Sequence, residues 1–249
     1  MKLSGNTVFI TGGTSGIGRS LAEALHKRGN QVIISGRRKG HLAEVTRANP
    51  GMQSLELNVE DPASIAAVAK KLIAEYPKLN VLINNAGIMQ IDDAAGAIDD
   101  SVLVSIVTTN LLGPIRMTSA LIEHLKKQPS ATVINVSSGL AFVPLASTAV
   151  YSATKAAIHS YTQSMRYRLK GSSVRVLELI PPWVRTDLLN SKDEPRAMPL
   201  AAFIEEAVTV LGTDAEEVLV ERVKMLRNNP GPNEFVFVAQ FNDMIASAH

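Results

Sequence analysis

Short apolar runs alternate along the chain with longer segments of helical spacing. The runs are rich in β-branched residues and lack a polar face, as strands covered on both sides of a sheet should. They are TVFI at 7–10, QVIIS at 31–35, QSLEL at 53–57, NVLIN at 80–84, ATVINV at 131–136 and VRVLELI at 174–180. Alternating strands and helices predict an α/β fold with a doubly wound parallel sheet and helices on both faces.

Two of the intervening segments carry clear helix boundaries. GRSLAEALHKRG ends on Gly29, and glycine commonly follows the last turn of a helix. DPASIAAVAKKLIAEY places Asp61 where it can cap the helix and Pro62 at the first helical position. These signals support the helical interpretation of both segments.

The chain changes character after Thr186. Residues 187–200 are polar and are interrupted by Pro195 and Pro199, which predicts a mobile flap. Helices are expected from about Leu200 to Arg227. The apolar pattern at 234–245 fits a helix or a strand, and we favour the helix.

Composition predicts one soluble α/β domain over residues 1–249, because 46% of the residues are hydrophobic and the length is ordinary for a single core. The net charge of +2 is scattered, which argues against nucleic-acid or membrane partners. No apolar run reaches membrane-spanning length, and the N-terminal run is too short for a signal sequence. We therefore expect a cytoplasmic protein.

A glycine-rich loop, TGGTSGIG at 11–18, joins the first strand to the first helix. Glycines at 12, 16 and 18 allow a tight turn and let a pyrophosphate approach the backbone N–H groups of the helix N-terminus. Lone glycine patterns are often only turns. The position after the first strand of an alternating chain favours a dinucleotide site here.

Further motifs follow in order: NNAG at 84–87, Asn110, Ser138, and Tyr151 with Lys155. Together with the glycine loop they resemble the classical short-chain dehydrogenase/reductase (SDR) family over residues 5 to about 187. The resemblance implies a Rossmann-type fold, with a cofactor-binding half at about 1–130 and a catalytic and substrate half at about 131–249.

The end of the second strand distinguishes the two nicotinamide dinucleotides. An acidic residue there selects NAD, whereas a basic residue accommodates the 2′-phosphate of NADP. This chain has Gly36 at that place, followed by Arg37 and Arg38. A guanidinium binds phosphate bidentately, so we predict that NADP(H) is preferred and NAD(H) possible, with Arg37 as the main contact. Asn58 replaces the aspartate usual in the family, and we expect Asn58 and Val59 to contact the adenine.

The resemblance assigns other cofactor contacts to the glycine loop, the NNAG segment, the Tyr-Lys pair and the PPWVRT stretch at 181–186. Pro182 replaces the usual glycine of that stretch, and proline fixes φ and removes an N–H. The full set is Gly12, Thr14, Ser15, Gly16, Ile17, Gly18, Asn85, Ala86, Gly87, Tyr151, Lys155, Pro181, Val184 and Thr186.

Tyr151 and Lys155 lie four residues apart, on one face if the segment is helical. A phenol pKa near 10 is too high for efficient acid-base work at neutral pH. Lowering it by about three units needs roughly 4 kcal/mol. One positive charge about 4 Å away supplies roughly that at an effective dielectric constant of about 20. The spacing therefore predicts a tyrosine whose pKa is lowered by the lysine.

The resemblance implies how four residues share the reaction. Tyr151 donates a proton to the carbonyl oxygen, Ser138 hydrogen-bonds that oxygen, Lys155 also binds the nicotinamide ribose, and Asn110 holds a water on the proton path. Ser137 is the alternative to Ser138, but strand alternation points the two side chains to opposite faces, and the family spacing favours Ser138.

The expected activity is NADP(H)-dependent carbonyl reduction or alcohol oxidation on a small-to-medium hydrophobic substrate. Apolar residues expected near the cleft motivate this choice; they are Met89, Leu140, Phe142 and Trp183. Trp183 fits core packing beneath the flap equally well. Arg185 and Arg196 leave a phosphorylated or CoA-linked substrate open.

Two alternatives remain. One is an enoyl or 3-oxoacyl-type reductase, although enoyl reductases of this fold typically space tyrosine and lysine more widely. The other is a redox sensor that binds NADP(H) without turnover, against which the complete set of catalytic residues argues.

Many family members end with a seventh strand and an aspartate-glycine-glycine stretch, and the tail VFVAQFNDMIASAH at 236–249 has neither. That ending helps form one subunit interface, so a homodimer is as compatible with the sequence as a homotetramer. With PPWV, this ending resembles the subgroup related to the bacterial DltE oxidoreductase. The five histidines show no ligand spacing and the chain has no cysteine, so we predict no metal site.

Overall fold

The computed structural model describes residues 1–228 and 234–246. Within these residues, seven parallel strands form one sheet in the order β3-β2-β1-β4-β5-β6-β7. The strands are β1 (Thr7–Ile10), β2 (Gln31–Gly36), β3 (Gln53–Glu56), β4 (Leu79–Asn84), β5 (Ala131–Val136), β6 (Val174–Ile180) and β7 (Glu217–Leu219). The chain reverses its direction of progress between β1 and β4, which is where ligands bind in open α/β sheets.

Helices pack on both faces of this sheet, and the described residues contain nine α-helices. They are α1 (Gly16–His26), α2 (Lys39–Ala48), α3 (Pro62–Glu75), α4 (Asp100–Val107), α5 (Gly113–Lys126), α6 (Ala149–Arg168), α7 (Leu200–Leu211), α8 (Lys224–Arg227) and α9 (Glu234–Ala246). No helix in the described ranges combines the length and apolar character needed to span a bilayer.

The buried side chains divide into two cores, one on each face of the sheet. Alternation along β1 shows the division, since Val8 and Ile10 join the core under α1 and α7, whereas Phe9 joins the core under α3 and α5. The central strands β1, β4, β5 and β6 therefore bury both of their faces, which explains why their apolar runs in the sequence lack a polar alternation.

The predicted sheet and several helix boundaries are confirmed. All six predicted strands are present, and Asp61 caps α3 by accepting a hydrogen bond from the backbone N–H of Ala63 at 2.9 Å. The preference for a helix at 234–245 is also confirmed by α9.

The prediction of helices from about Leu200 to Arg227 is confirmed by α7 and α8 but misses a strand between them. Residues Glu217–Leu219 form β7, which pairs with β6 at the edge of the sheet. The C-terminal tail contains no strand where the structure describes it, as predicted, and the seventh strand of the sheet comes from this earlier segment. Three residues are too few for a period of two to stand out, and the exposed edge of β6 provides the pairing that makes this segment a strand.

Candidate active site

The glycine loop lies between β1 and α1 in a conformation that side chains would obstruct. Gly12 and Gly16 have φ values of +68° and +53°, a region that favours glycine. A Cβ atom on Gly18 would lie 2.2 Å from the carbonyl oxygen of Gly12, and one on Gly12 would lie 2.8 Å from the Cα of Ala86. The loop is therefore tightly folded against the segment that follows β4.

Asn85 and Thr11 fasten these two segments together. The Asn85 amide donates to the carbonyl oxygens of Thr11 and Gly12, each at 3.0 Å. The Thr11 hydroxyl oxygen accepts the backbone N–H groups of Asn85 and Ala86 at 3.0 and 3.1 Å. Thr11 was not among the predicted site residues. Its position directly before Gly12 in the glycine-rich motif could have indicated that it belongs to the site.

The N-terminus of α1 fits an anionic ligand. Ser15, at its N-cap, makes no side-chain capping bond, and no acidic residue lies in the first turn. A Cβ atom on Gly16 would lie 3.4 Å from the Cγ2 atom of Thr186, so the 181–186 stretch closes over this helix end. Backbone N–H groups at a helix N-terminus bind phosphate, so these residues fit the pyrophosphate of a dinucleotide.

The segment that follows β2, beside the glycine loop, is basic. Arg37 is largely exposed and makes one long ion pair, 3.4 Å from its Nη1 atom to Oε1 of Glu60. A Cβ atom on Gly36 would lie 3.0 Å from the Cγ2 atom of Thr14, so β2 closely approaches the glycine loop. Asn58 accepts the Glu60 N–H through Oδ1 at 3.2 Å, so this oxygen already holds the turn after β3.

Three predicted catalytic residues meet around Gly87. A Cβ atom there would lie 3.4 Å from Oδ1 of Asn110 and 3.7 Å from Nζ of Lys155. Lys155 also lies over the Tyr151 ring, with Nζ 5.4 Å from its centroid. Tyr151 and Lys155 therefore share one face of α6, as their spacing predicts.

Asn110 lies in a π-helical turn, Thr108–Leu112, that connects α4 to α5. Such turns often occur at functional sites, because the extra residue redirects a side chain. Its amide accepts the Ile88 N–H at 2.9 Å and donates to the Ile88 carbonyl at 2.8 Å. Asn110 thus fixes the backbone after β4 beside α6.

Ser138 caps the short turn after β5, where its Oγ atom accepts the Leu140 N–H at 3.1 Å. It also interacts with the Tyr151 hydroxyl, an interaction that lowers the tyrosine pKa. The hydroxyl of Ser137 is buried and has no hydrogen-bond partner in the described part of the chain. Of the two serines, Ser138 is the one that contacts the tyrosine.

The pKa of Tyr151 is not lowered as the spacing argument predicts. Burial raises the pKa of Tyr151 to about 12, and the contact with Ser138 opposes this only in part. The predicted lysine effect is missing because Nζ of Lys155 faces the ring and donates to the Val136 carbonyl at 2.8 Å. The spacing of the two residues does not reveal the cost of burying the phenolate, and this cost dominates the pKa.

Lys155 is itself strongly perturbed. Burial lowers the pKa of Lys155 to about 8, while the negative charge of Glu178 acts in the opposite direction. The lysine is therefore charged at neutral pH and loses its proton near pH 8. A buried pair of shifted acid and base groups is typical of a functional site.

The 181–186 stretch is held from both sides. The Pro181 carbonyl accepts the Gly139 N–H at 2.9 Å, and Val184 pairs with Met198 across the flap. Trp183 donates from Nε1 to Oγ of Ser191 at 2.8 Å, so the indole is bound to the flap while remaining 40% exposed. This exposure contradicts the alternative of core packing beneath the flap, and the cleft position of Trp183 stays a prediction.

The apolar residues predicted near the cleft lie in different surroundings. Leu140 lines an apolar cleft of about 460 Å³ between the turn after β5, the start of α6, and Val238 and Asn242 of α9. Phe142 packs between His159 and Arg227, with 4.7 Å between its ring and each group. Met89 is half-buried after β4. Another cavity, of about 480 Å³, lies at the far end of α6.

A second cluster of titratable groups was not predicted. The fold brings His159, Glu178 and Glu217 together, with one ring nitrogen or carboxylate oxygen from each within 4.8 Å of the others. Arg227 pairs with both oxygens of Glu217, at 2.7 and 3.0 Å, and so supplies a positive charge already. These residues come from α6, β6, β7 and α8, and no linear spacing joins them.

A parallel sheet with a glycine loop after β1 and a Tyr-Lys pair on α6 defines a Rossmann-type oxidoreductase. The model of the short chain dehydrogenase family matches residues 6–197. The chain belongs to the short-chain dehydrogenase/reductase family, which confirms the resemblance found in the sequence.

Individual relatives are similar over most of their length. The chain is 39% identical over 234 residues to the uncharacterized oxidoreductase DltE of Bacillus subtilis strain 168, with 92% of this chain and 93% of that protein covered. It is 32% identical over 203 residues to the 3-oxoacyl-acyl-carrier-protein reductase FabG of Vibrio harveyi, with 81% and 83% covered.

Solved structures agree with this assignment. A short chain dehydrogenase from Burkholderia cenocepacia J2315 in complex with NADP has a TM-score of 0.85 at 26% identity, with 96% of this chain and 98% of that chain covered. A 3-ketoacyl-acyl-carrier-protein reductase from Brucella melitensis complexed with NADH has a TM-score of 0.78 at 27% identity, with 86% and 93% covered.

Proposed function

We propose that the protein is an NADP(H)-dependent carbonyl reductase that interconverts a hydrophobic ketone and its secondary alcohol. The observation that carries this proposal is the meeting of Tyr151, Lys155, Asn110 and Ser138 near Gly87, in the segment that packs against the glycine loop. A bound nicotinamide dinucleotide supplies the hydride from its C4 atom, and its oxidised form supplies a positive charge beside the phenol.

The residues of the chain divide the remaining work. Tyr151 keeps its proton across the physiological range, because burial raises its pKa to about 12, and it donates that proton to the carbonyl oxygen as an alkoxide develops. Ser138 hydrogen-bonds the same oxygen and orients it. Lys155, charged below about pH 8, stabilises the phenolate that remains.

The cofactor would extend from Arg37, past the glycine loop, to Tyr151. Gly12, Gly16 and Gly18 leave room for its pyrophosphate, and the N-terminus of α1 favours the negative charge. The NADP complex of the Burkholderia relative supports this choice, whereas the NADH complex of the Brucella relative keeps NAD(H) as a possible second cofactor.

The state of the flap arginines supports a substrate without a phosphate group. Arg185 donates to the carbonyl oxygens of Glu194, Pro195 and Ala197, and Arg196 forms a bidentate pair with the Glu194 carboxylate. Both guanidinium groups therefore have protein partners. The nearby apolar residues, Leu140 and Trp183, would contact the hydrocarbon part of a ketone.

Reduction of 3-oxoacyl thioesters is the second candidate. It is favoured by the identity of 32% to the Vibrio harveyi reductase. The two candidates share the chemistry at Tyr151 and differ in the group attached to the carbonyl. Substrate preference, not mechanism, distinguishes them.

A panel of carbonyl compounds tests the proposal. NADPH oxidation would be followed by absorbance with aliphatic and aromatic ketones, and with acetoacetyl-CoA as the thioester. We expect turnover with hydrophobic ketones at a higher kcat/KM than with acetoacetyl-CoA. The reverse order would assign the 3-oxoacyl activity. NADPH binding without oxidation by any compound would favour a sensor and contradict the proposal.

Arg37→Ala should lower kcat/KM for NADPH by roughly 10- to 100-fold, because a charge-assisted hydrogen bond is worth about 1.5–3 kcal/mol. The value for NADH should stay unchanged, since that cofactor has no 2′-phosphate. Steady-state kinetics with both cofactors measure the difference. Arg38→Ala is the matched control and should affect NADPH much less. An equal loss with both cofactors would show that Arg37 does not recognise the phosphate.

A further inference from the structure

Glu178 is a fully buried carboxylate. It lies on β6 between β5 and β7, and its side chain has no exposed surface. A buried carboxylate is costly unless hydrogen bonds and opposite charges compensate it. In the described part of the chain its oxygens hydrogen-bond only with His159, whose Nδ1 atom lies at 2.8 and 3.0 Å.

The same helix carries His159 and Lys155 one turn apart. Lys155 is anchored on the Val136 carbonyl of β5. In the register of β5 and β6, Asn135 lies opposite Glu178 and Val136 lies opposite Leu179. Glu178 is therefore on the neighbouring strand, one position from the pair that contains the carbonyl that binds Lys155. Glu178 is the charge that opposes the effect of burial on the pKa of Lys155.

The other charged groups around Glu178 are already balanced. Glu217 of β7 is paired with Arg227 of α8, and Arg166 of α6 is paired with Glu216 at 3.3 Å. Tyr151 adds no charge, because burial raises its pKa to about 12. Arg227 also interacts with the charge of Glu178. Lys155 has no ion-pair partner in the described part of the chain, so the Glu178 carboxylate is the negative charge that acts on its ammonium group.

The His159 ring also connects the carboxylate to the substrate side. It meets the Phe142 ring edge-on, with 4.7 Å between centroids, and Phe142 follows the turn that carries Ser138. The imidazole is therefore held by an acid on one side and by an aromatic ring on another. This arrangement fixes which way the Glu178 carboxylate points.

We propose that Glu178, oriented by His159, is a positioning residue that keeps the Lys155 ammonium charged and anchored beside Tyr151. The inference deepens the proposed function and rests on it, because Lys155 acts there through the tyrosine. It adds a carboxylate and an imidazole to the residues on which the reaction depends.

Glu178→Gln tests this role, because it removes the charge and keeps an oxygen for His159. The wild-type kcat/KM should fall above about pH 8, where Lys155 loses its proton. In the variant this fall should begin about one pH unit lower or more. The reason is that a neutral neighbour no longer favours the ammonium form. A fall in activity that is equal at every pH would overturn the proposal. So would an alkaline fall of kcat/KM that begins at the same pH as in the wild type.

Two further variants separate the effect of the Glu178 charge from loss of a charge elsewhere and from a folding defect. Glu217→Gln makes the same change on the neighbouring strand, where Arg227 already balances the charge. It should leave the pH of the alkaline fall in kcat/KM unchanged. An equal shift in both variants would overturn the specific role of Glu178. Glu178→Met removes the charge with an apolar side chain of similar length. It should lower the pH of the alkaline fall in kcat/KM even if the glutamine variant does not fold.

A direct titration separates this inference from the proposed function. In cofactor-free protein carrying ¹³C-labelled lysine, the Lys155 signal would be identified by its loss in Lys155→Met. Its pKa should lie near 8 in the wild type and lower in Glu178→Gln. This measurement needs no turnover, so it still decides the role of Glu178 if no carbonyl compound is reduced. Equal pKa values in the two proteins would refute the role.

Discussion

Tyr151→Phe is expected to lower kcat for ketone reduction by about 10²–10⁴-fold, the usual contribution of a positioned acid. The ring of Tyr151 is buried and would keep its packing, so only the hydroxyl is lost. NADPH affinity should survive, because the glycine loop and the N-terminus of α1 are untouched. Steady-state kinetics and NADPH fluorescence titration measure the two quantities.

Tyr161→Phe is the matched control for this change. Tyr161 lies on the same helix and is half-buried against the core under α3 and α5. Its loss of a hydroxyl should leave kcat near the wild-type value. Full activity in Tyr151→Phe, or an equal loss in both variants, would show that Tyr151 is not the proton donor.

Lys155→Met should reduce kcat by about 10²-fold or more and raise stability at neutral pH. Burial lowers the pKa of Lys155 from 10.5 to about 8. At about 1.4 kcal/mol per unit, the buried ammonium costs the fold roughly 3 kcal/mol. Loss of the hydrogen bond to the Val136 carbonyl offsets about 1–2 kcal/mol of this gain. A net increase of about 1–2 kcal/mol remains.

The stability difference should depend on pH with a definite sign. Below pH 8 the lysine is charged in both the folded and the unfolded wild type, so the full cost is present. Between pH 8 and 10.5 the folded wild type has released the proton and the cost fades, so the advantage of the variant shrinks. Urea unfolding at pH 7 and pH 10 measures this change.

Lys70→Met is the control for the stability measurement. Lys70 is exposed on α3, so its replacement should give no comparable change between the two pH values. A Lys155→Met protein that is less stable than wild type at pH 7 would contradict the burial cost. A difference that grows with pH would contradict its sign.

The strands and the order of the site motifs could be predicted because each depends on local sequence. A buried parallel strand needs an uninterrupted apolar run, and the runs TVFI and ATVINV in an α/β chain are typical of such strands. The strand β7 could not be predicted in the same way. Its three residues acquire their structure from the edge of β6, which is distant in sequence.

Contacts across elements limit what the sequence predicts about the site. The spacing of Tyr151 and Lys155 predicts their shared face, but burial determines their pKa values, and burial is a property of the whole fold. The pairing of His159 with Glu178 joins α6 to β6 over 19 residues. No motif indicates it, because each residue alone is ordinary in its own element.

The central claim is that the chain transfers hydride to a ketone, and deuterium transfer tests it most directly. NADPH labelled with deuterium at one or the other face of C4 would be incubated with the best ketone of the panel. Mass spectrometry of the product would follow. We predict an alcohol that carries deuterium on its carbinol carbon from one of the two labelled forms and none from the other. An alcohol without deuterium from either form, or no alcohol at all while NADPH remains bound, would contradict the account.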